Sequence, residues 1–480
     1  MAMGRRKGEK QPELFLATQN LAKPEGHAFY DRLNKLLAEA GFDNFAEAAC
    51  VAYYDEVTPG GRPSIVPGVY FRMLFVGYFE GIDSQRGIAW RCHDSLSLRS
   101  FLGVALHEDT PDHTTLSKTR NRLPQEVHES VFQFVLKLAE TKKLLSAKTV
   151  AVDSTMLEAN AAMKAIVRKD TGEDYKEFLK RLAAEAGIDD PSDEELRRFD
   201  QKRKGKTCSN QEWESPTDPD SRIAQMKDGR THLAYKAEHV VDLNTELVLA
   251  AEIVPADAGD AETLVDSVVT AQCHLNAAVT LTTEPSDPDV SEAALAKQAR
   301  AGRQIEEVAA DKGYHKASTL TVLTEMGYRT YVPEQRRKHR LRWADKPGEQ
   351  QRAVYANRRR VRGARGKRLQ RLRSERVERS FAHMCETGGG RRSWLRGIAK
   401  VAKRYLMQAA AHNLGVVMRK LFGVGKPRCL QEPRSGFAAR LLTALIGLWA
   451  IWWELMTEWR QQMATPLRTA TTTRPTLQVA

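Results

Sequence analysis

The segment Lys148-Thr149-Val150-Ala151-Val152-Asp153 decides the reading of this chain, because it is a short β-branched, apolar run that ends on a carboxylate. Upstream, from Gly26 to Leu144, apolar residues recur at three- and four-residue spacing, the signature of helices. The period changes at Lys148, and a strand begins there. Further on, Glu306-Glu307-Val308-Ala309-Ala310-Asp311 repeats the same form, a short strand ending on an aspartate. Between the two runs, His232–Val241 and Leu247–Val254 read as antiparallel strands turning at Asn244-Thr245, followed by a helix starting near Asp260 with acidic first-turn residues. After the second run come a helix from Lys316 to Met326, closed by Gly327, and a strand over Tyr328–Val332. Strands alternating with helices imply an α/β core behind an all-helical N-terminal region.

In that helical region Val127, Val131, Val135 and Leu138 follow a helix-starting Pro124. The segment Pro111–Leu123 offers an Asp/Thr cap, and its Lys118, Arg120 and Arg122 suit phosphate contact as well as they suit a capped surface helix. Residues 161–230 are polar, with one amphipathic helix through Tyr175, Phe178 and Leu182 and then a loop-like stretch rich in Asp, Pro and Ser. They read as an insertion, partly disordered. A long helix from Ile398 to Leu421 and a polar, Thr-rich tail from Thr465 complete the chain.

Charge is distributed unevenly. The 480 residues hold 74 Lys/Arg and 61 Asp/Glu, a formal charge of +13, yet 17 of the basic residues and only three acids fall between Arg336 and Arg376. The rest of the chain is nearly neutral, so one stretch supplies the attraction to a polyanion. Six scattered cysteines without a C-x-x-C pair argue against a zinc ribbon or a disulfide scaffold. The apolar run Leu441–Trp453 falls short of the roughly 20 residues a membrane span needs. It reads as a self-association segment, and the protein as cytoplasmic and nucleoid-associated, with no membrane partner. A length of 480 residues predicts two or three domains.

Val377, Phe381 and Met384 lie at helical spacing, which puts Glu378 at the edge of an apolar stripe. Two strand-ending aspartates and this helical glutamate can converge where strand ends meet a helix. Mg²⁺ suits three such carboxylates, and a pair of ions suits in-line displacement at a phosphodiester. Taken singly, Asp153 and Asp311 also read as turn formers and Glu378 as a surface ion pair. His315 and His383, close to them in sequence, read as polar surface residues. From residues alone, a nuclease-type enzyme and a basic binding protein remain equally open.

The segments Ala151-Val152-Asp153-Ser154-Thr155, Ala310-Asp311-Lys312-Gly313-Tyr314 and Val377-Glu378-Arg379-Ser380-Phe381 resemble the three catalytic blocks of bacterial insertion-sequence transposases of the Asp-Asp-Glu type. The similarity runs from about Pro63 to Pro427 and includes Lys227–Lys236 and Arg396-Gly397-Ile398. It implies an RNase H-like mixed sheet flanked by helices, with Asp153 and Asp311 on adjacent strands and Glu378 on a helix, together holding two Mg²⁺ ions, for which Mn²⁺ can substitute. It also implies an organisation: a helical domain over residues 1–145 that binds terminal inverted repeats, a catalytic domain over 146–425, and an extension over 426–480 that is partly disordered. The expected activity is cleavage at the element's ends and joining of 3′-hydroxyls to target DNA, by a homodimer on paired ends.

Related transposases carry Tyr and Arg seven and four residues before the glutamate and Lys seven after it; here those positions hold Arg371, Ser374 and Cys385. Arg371, Arg373 and Arg376 are expected to contact phosphates instead, and Arg391 or Arg392 to replace the lysine. Lys312, Tyr314, Arg336, Arg337, Arg358, Arg359 and Arg360 complete the expected DNA-binding set, with Trp343 as a candidate for stacking on an unpaired base. The alternative is a catalytically inactive relic or a DNA-binding repressor.

Overall fold

The computed structural model describes residues 26–54, 64–204, 208–226, 228–280, 304–336, 343 and 346–430. The chain divides into a unit Met1–Pro427 and a second unit Arg428–Ala480, which lies almost wholly outside the described residues. So do the Leu441–Trp453 run, the Thr-rich tail and Arg337.

Among the described residues seven α-helices open the first unit: α1 (Ala28–Glu39), α2 (Phe42–Cys50), α3 (Pro67–Glu80), α4 (Gln85–Asp94), α5 (Leu96–Leu102), α6 (His113–Arg122) and α7 (Gln125–Thr141). Pro67 sits in the first turn of α3, and Gly81 ends it in the left-handed conformation. Asp112 caps α6 by accepting from Thr115 N at 2.8 Å. α3 is apolar around most of its circumference, and Tyr70, Phe71, Met73, Phe75 and Val76 are all fully buried.

Strand β1 (Thr149–Glu158) follows, twice the length its apolar run indicated. The polar insertion is folded into β2 (Val167–Arg168), α8 (Tyr175–Glu185), α9 (Asp193–Lys202) and β3 (Trp213–Glu214), and α8 and α9 enclose a small core of Leu179, Ala183 and Leu196. The stretch read as loop contains α9, whose Ser192 and Glu195 form a capping box. That helix is so polar that it shows no broad apolar stripe, and its caps rather than its periodicity mark it.

β4 (Arg222–Gln225), β5 (Thr231–Asp242), β6 (Val248–Pro255), α10 (Asp260–Thr280), β7 (Glu307–Ala310), α11 (Ala317–Glu325) and β8 (Arg329–Tyr331) complete the sheet and its first helices. The strand order is β4-β5-β1-β7-β8, with β6 beside β5. β5 is antiparallel to β1, β4 and β6, while β7 runs parallel to β1 and β8 parallel to β7. This is the mixed sheet of the RNase H-like expectation.

From Gly348 onward the basic stretch is helical. It forms α12 (Gly348–Arg362) and α13 (Ala364–Phe381), which break at Gly363. A side chain on Gly366 would strike the Arg360 and Val361 carbonyl oxygens, so glycine lets the first turn of α13 close onto the end of α12. α14 (Ile398–Phe422) is buried from Tyr405 to Met418 and contacts β6, α3 and α7, joining the N-terminal helices and the sheet in one hydrophobic core.

Two asparagines each close one rung, on β6 and beside β8. Asn413 of α14 accepts from Val248 N and donates to Val248 O on β6, both at 2.8 Å. Asn357 of α12 does the same at Val332, beside β8, at 3.0 and 2.7 Å. Both side chains are fully buried, and each supplies the donor and acceptor that a further strand would have offered. Among the described residues no helix is long and apolar enough to cross a membrane.

Candidate active site

Register places the two aspartates. Val152 pairs with Ala310 across the parallel β1–β7 ladder, so Asp153 and Asp311 are the next residues on adjacent strands. β1 continues past Asp153, whereas Asp311 leaves the sheet and starts a 3₁₀ turn over Lys312–Tyr314. Side-chain exposure is 22% for Asp153 and 45% for Asp311, so both are open to solvent at one end of the sheet.

α13 is fastened across those strands by a ladder of polar contacts. Arg365 is paired to Glu307 of β7, and its Nε donates at 2.7 Å. Gln370 donates to the Tyr331 and Ala310 carbonyls at 2.6 and 3.3 Å. Arg373, one turn further, donates from Nη1 to Asp153 Oδ2 at 2.6 Å and places Nη2 3.8 Å from Asp311 Oδ1. Arg376 donates to the Leu243 carbonyl, and Arg379 is 2.7 Å from Glu246.

The last anchor is His239, opposite Asp153 on β5. Ser380 Oγ donates its hydrogen to the Val377 carbonyl at 2.8 Å, so toward His239 Nδ1, also at 2.8 Å, it accepts. The imidazole is therefore protonated at Nδ1, and Nε2 accepts from the Tyr405 hydroxyl at 2.7 Å. The ring stacks on Phe381 with centroids 4.0 Å apart. Complete burial holds the imidazole well below its usual pKa, and the charge of His412 pushes the same way. Glu378 is exposed, two residues from this buried anchor.

Asp153 and Glu378 line one groove of about 510 Å³ with Glu158, Asp228, His232, Glu386 and Arg391. Acids outnumber bases along it, so a phosphodiester could enter only with added positive charge. On the other face of β1, Lys236 is 1% exposed and donates to Asp260 Oδ1 at 2.9 Å and to the Ala258 carbonyl at 3.0 Å. Neighbouring Glu238 is pushed up to about 7, mainly by burial. Ser154 connects to this cluster through Asp260 at 3.3 Å.

The expected DNA-binding residues fall into two groups. Lys118, Arg122, Lys312, Arg336, Arg359, Arg371 and Arg391 are exposed. The others are engaged within the protein: Arg358 is bidentate to Glu334, Arg360 donates to Thr330, and Arg392 is 3.6 Å from Glu158 and lies over the Trp394 ring. Arg120 is 6% exposed, and Tyr314 is 1% exposed with its ring in the core, so neither is presented to DNA. Trp343 lies beside Tyr355, with Lys346 over its ring. His315 is buried and His383 half-buried rather than on the surface, and burial holds His383 at about 4.

Gln370, Ser380, His239 and the inward role of Arg373 escaped the sequence reading. A signal existed for Arg373, which stands four residues before Val377 on the buried stripe, where a cation must find a partner.

The donor chemistry of Asp153 and Asp311 fits a hard divalent cation, and the Arg373 guanidinium reaching both carboxylates is a stand-in for one. Glu378 does not complete the set as placed: no group of three His, Cys, Asp or Glu among the described residues is arranged to hold a metal ion.

No curated protein matches the chain closely enough to count as a relative. Two family models do match. One, described as a transposase domain, covers residues 18–122, the greater part of the N-terminal helices. The other, described as a transposase DDE domain, covers residues 331–418, from the end of β8 through most of α14, and so includes Glu378 but neither aspartate. These two matches, before and after a mixed sheet in RNase H-like order, support an insertion-sequence transposase of the Asp-Asp-Glu type.

Proposed function

We propose that this transposase acts as a polynucleotidyl transferase, binding the terminal inverted repeats of its element, cleaving there and joining the freed 3′-hydroxyls to target DNA. The observation that carries this reading is the β1–β7 register, which sets Asp153 and Asp311 side by side at the open end of the sheet. Asp153 and Asp311 would hold Mg²⁺ or Mn²⁺, with Glu378 brought in from α13 when DNA fills the groove. Bound there, divalent ions supply activation of a water or 3′-hydroxyl and neutralisation of the leaving oxygen. The chain's own residues orient the reaction. Ser154 N donates to Asp153 Oδ1 at 2.9 Å and fixes that carboxylate, while Gln370 holds α13 near its middle and His239 at its C-terminal end. Lys367, Arg368 and Arg371 on the exposed face of α13, with Lys312 at the second aspartate, would take phosphates. Two ends must be processed together, which favours a homodimer on paired DNA ends.

A non-catalytic reading, as relic or repressor, has one observation in its favour: Arg373 already neutralises the aspartates. The separating experiment is Mg²⁺-dependent nicking of a duplex carrying the element's end, comparing wild type with Asp311→Asn at equal DNA occupancy. End-specific 3′-hydroxyls from the wild type alone support the transferase. Binding by both proteins with cutting by neither, in Mg²⁺ or Mn²⁺, supports the repressor.

A further inference from the structure

We propose that Arg373 is the resident counter-cation of the aspartate pair, and that a divalent ion can load only as the guanidinium withdraws. This rests on the metal-holding role given above to Asp153 and Asp311.

Three observations carry it. First, the two cations compete for one carboxylate. Asp153 Oδ2 accepts from Arg373 Nη1 at 2.6 Å and Oδ1 from Ser154 N at 2.9 Å, so an incoming divalent ion meets a fixed positive charge within hydrogen-bond distance of its first ligand. Second, the guanidinium is held in place. Its side chain is 11% exposed, Gln370 Oε1 accepts from its Nε at 3.3 Å, and Nη2 lies 3.4 Å from Ser374 Oγ. Gln370 is itself tied to the carbonyls of Ala310 and Tyr331. Third, one planar fork spans two carboxylates on adjacent strands, which a surface ion pair does not do.

The arrangement does two things. Without metal it relieves the repulsion of two carboxylates fixed side by side by strand register. It also weakens metal binding, because the ion must outcompete a preformed, partly desolvated pair. The exposed stripe of the same helix carries Arg368 and Arg371, so DNA phosphates approach where the displaced guanidinium can follow. DNA that takes Arg373 from the aspartates thereby tightens metal binding, and by linkage metal tightens DNA.

The test reads metal affinity on the full chain without DNA, by titrating Mn²⁺ and following free Mn²⁺ by electron paramagnetic resonance. Arg373→Gln is expected to bind Mn²⁺ at least tenfold more tightly than wild type, and Asp153→Asn to abolish that binding in both backgrounds. Equal or weaker affinity in Arg373→Gln, with binding still lost on Asp153→Asn, overturns the inference and leaves the metal-site reading standing. Binding that survives Asp153→Asn in both backgrounds overturns the metal-site reading and this inference with it. If the glutamine variant does not fold, Arg373→Lys serves. It keeps the charge but not the two-pronged reach, and should bind Mn²⁺ at least threefold more tightly than wild type; equality overturns the inference.

Discussion

Replacing His239 by Phe isolates the polar work of that imidazole. The substitution keeps a flat ring to stack on Phe381 at 4.0 Å and removes both ring nitrogens. Tyr405 then loses the acceptor at 2.7 Å for its hydroxyl, in a side chain only 2% exposed. A buried hydroxyl without a partner costs about 1–3 kcal/mol. Ser380 loses a donor but still gives its own hydrogen to Val377, a smaller penalty of about 0.5–1.5 kcal/mol. The expected loss is therefore about 2–4 kcal/mol, read as the shift in denaturant midpoint at constant slope. Adding Tyr405→Phe removes the stranded hydroxyl and should recover about half of that loss, giving a coupling energy of at least about 1 kcal/mol. The acid side supplies a second reading. Because the folded-state pKa lies well below that of a free imidazole, stability is intact above the unfolded pKa of about 6.5 and falls below it by up to about 1.4 kcal/mol per pH unit. His239→Phe should lose that share of the slope. A cost under about 1 kcal/mol, or a second substitution that adds to the first without recovery, would refute the assignment of the two hydrogen bonds.

Glu238, raised to about 7, is neutral in the folded protein at pH values where the unfolded chain has already ionised. Its contribution is complete below about pH 4.5 and lost as pH rises through 7. Glu238→Gln should thus gain up to about 3 kcal/mol on wild type between pH 4.5 and 8, and parallel stability curves would contradict the burial argument. Asn413→Ala strands Val248 N–H and C=O and should cost about 2–5 kcal/mol in chemical denaturation. A cost below about 1 kcal/mol would mean that water reaches the β6 edge. Replacing Lys367, Arg368 and Arg371 together by Gln should lower DNA affinity regardless of sequence and make the salt dependence shallower by about two to three contacts. An unchanged slope would place the DNA elsewhere.

The order of strands and helices was legible because each core element carries its period with few exceptions: the β-branched runs before Asp153 and Asp311, the turn at Asn244-Thr245 and the long apolar face from Ile398. Elements without an apolar face were not. α9 is held by its caps, and α12 and the first part of α13 lay hidden inside a run read only for charge, although Val354 and Leu369 supply their buried positions. At the site, sequence order indicated the three carboxylates, and strand register brought two of them together. Side-chain direction was hardly legible. Only its spacing to Val377 marked inward Arg373 against outward Arg371, and charge alone did not tell buried Arg120 from exposed Lys118, since that depends on the rotation of a helix about its own axis. Tyr314 shows the same limit: the resemblance implied a place near the DNA, and the 3₁₀ turn directs the ring inward.

Asn357 and Asn413 have a consequence for assembly. Each amide occupies one rung at which a neighbouring chain would start to pair, at β8 and at β6 respectively. Should two copies meet on paired DNA ends, they cannot merge their sheets at those rungs without first evicting a buried asparagine. At those two places contact would fall to helices, loops and the nucleic acid itself. A pair joined that way can come apart once its DNA is released, whereas a shared ladder of backbone hydrogen bonds would hold the two copies together long after the work was done.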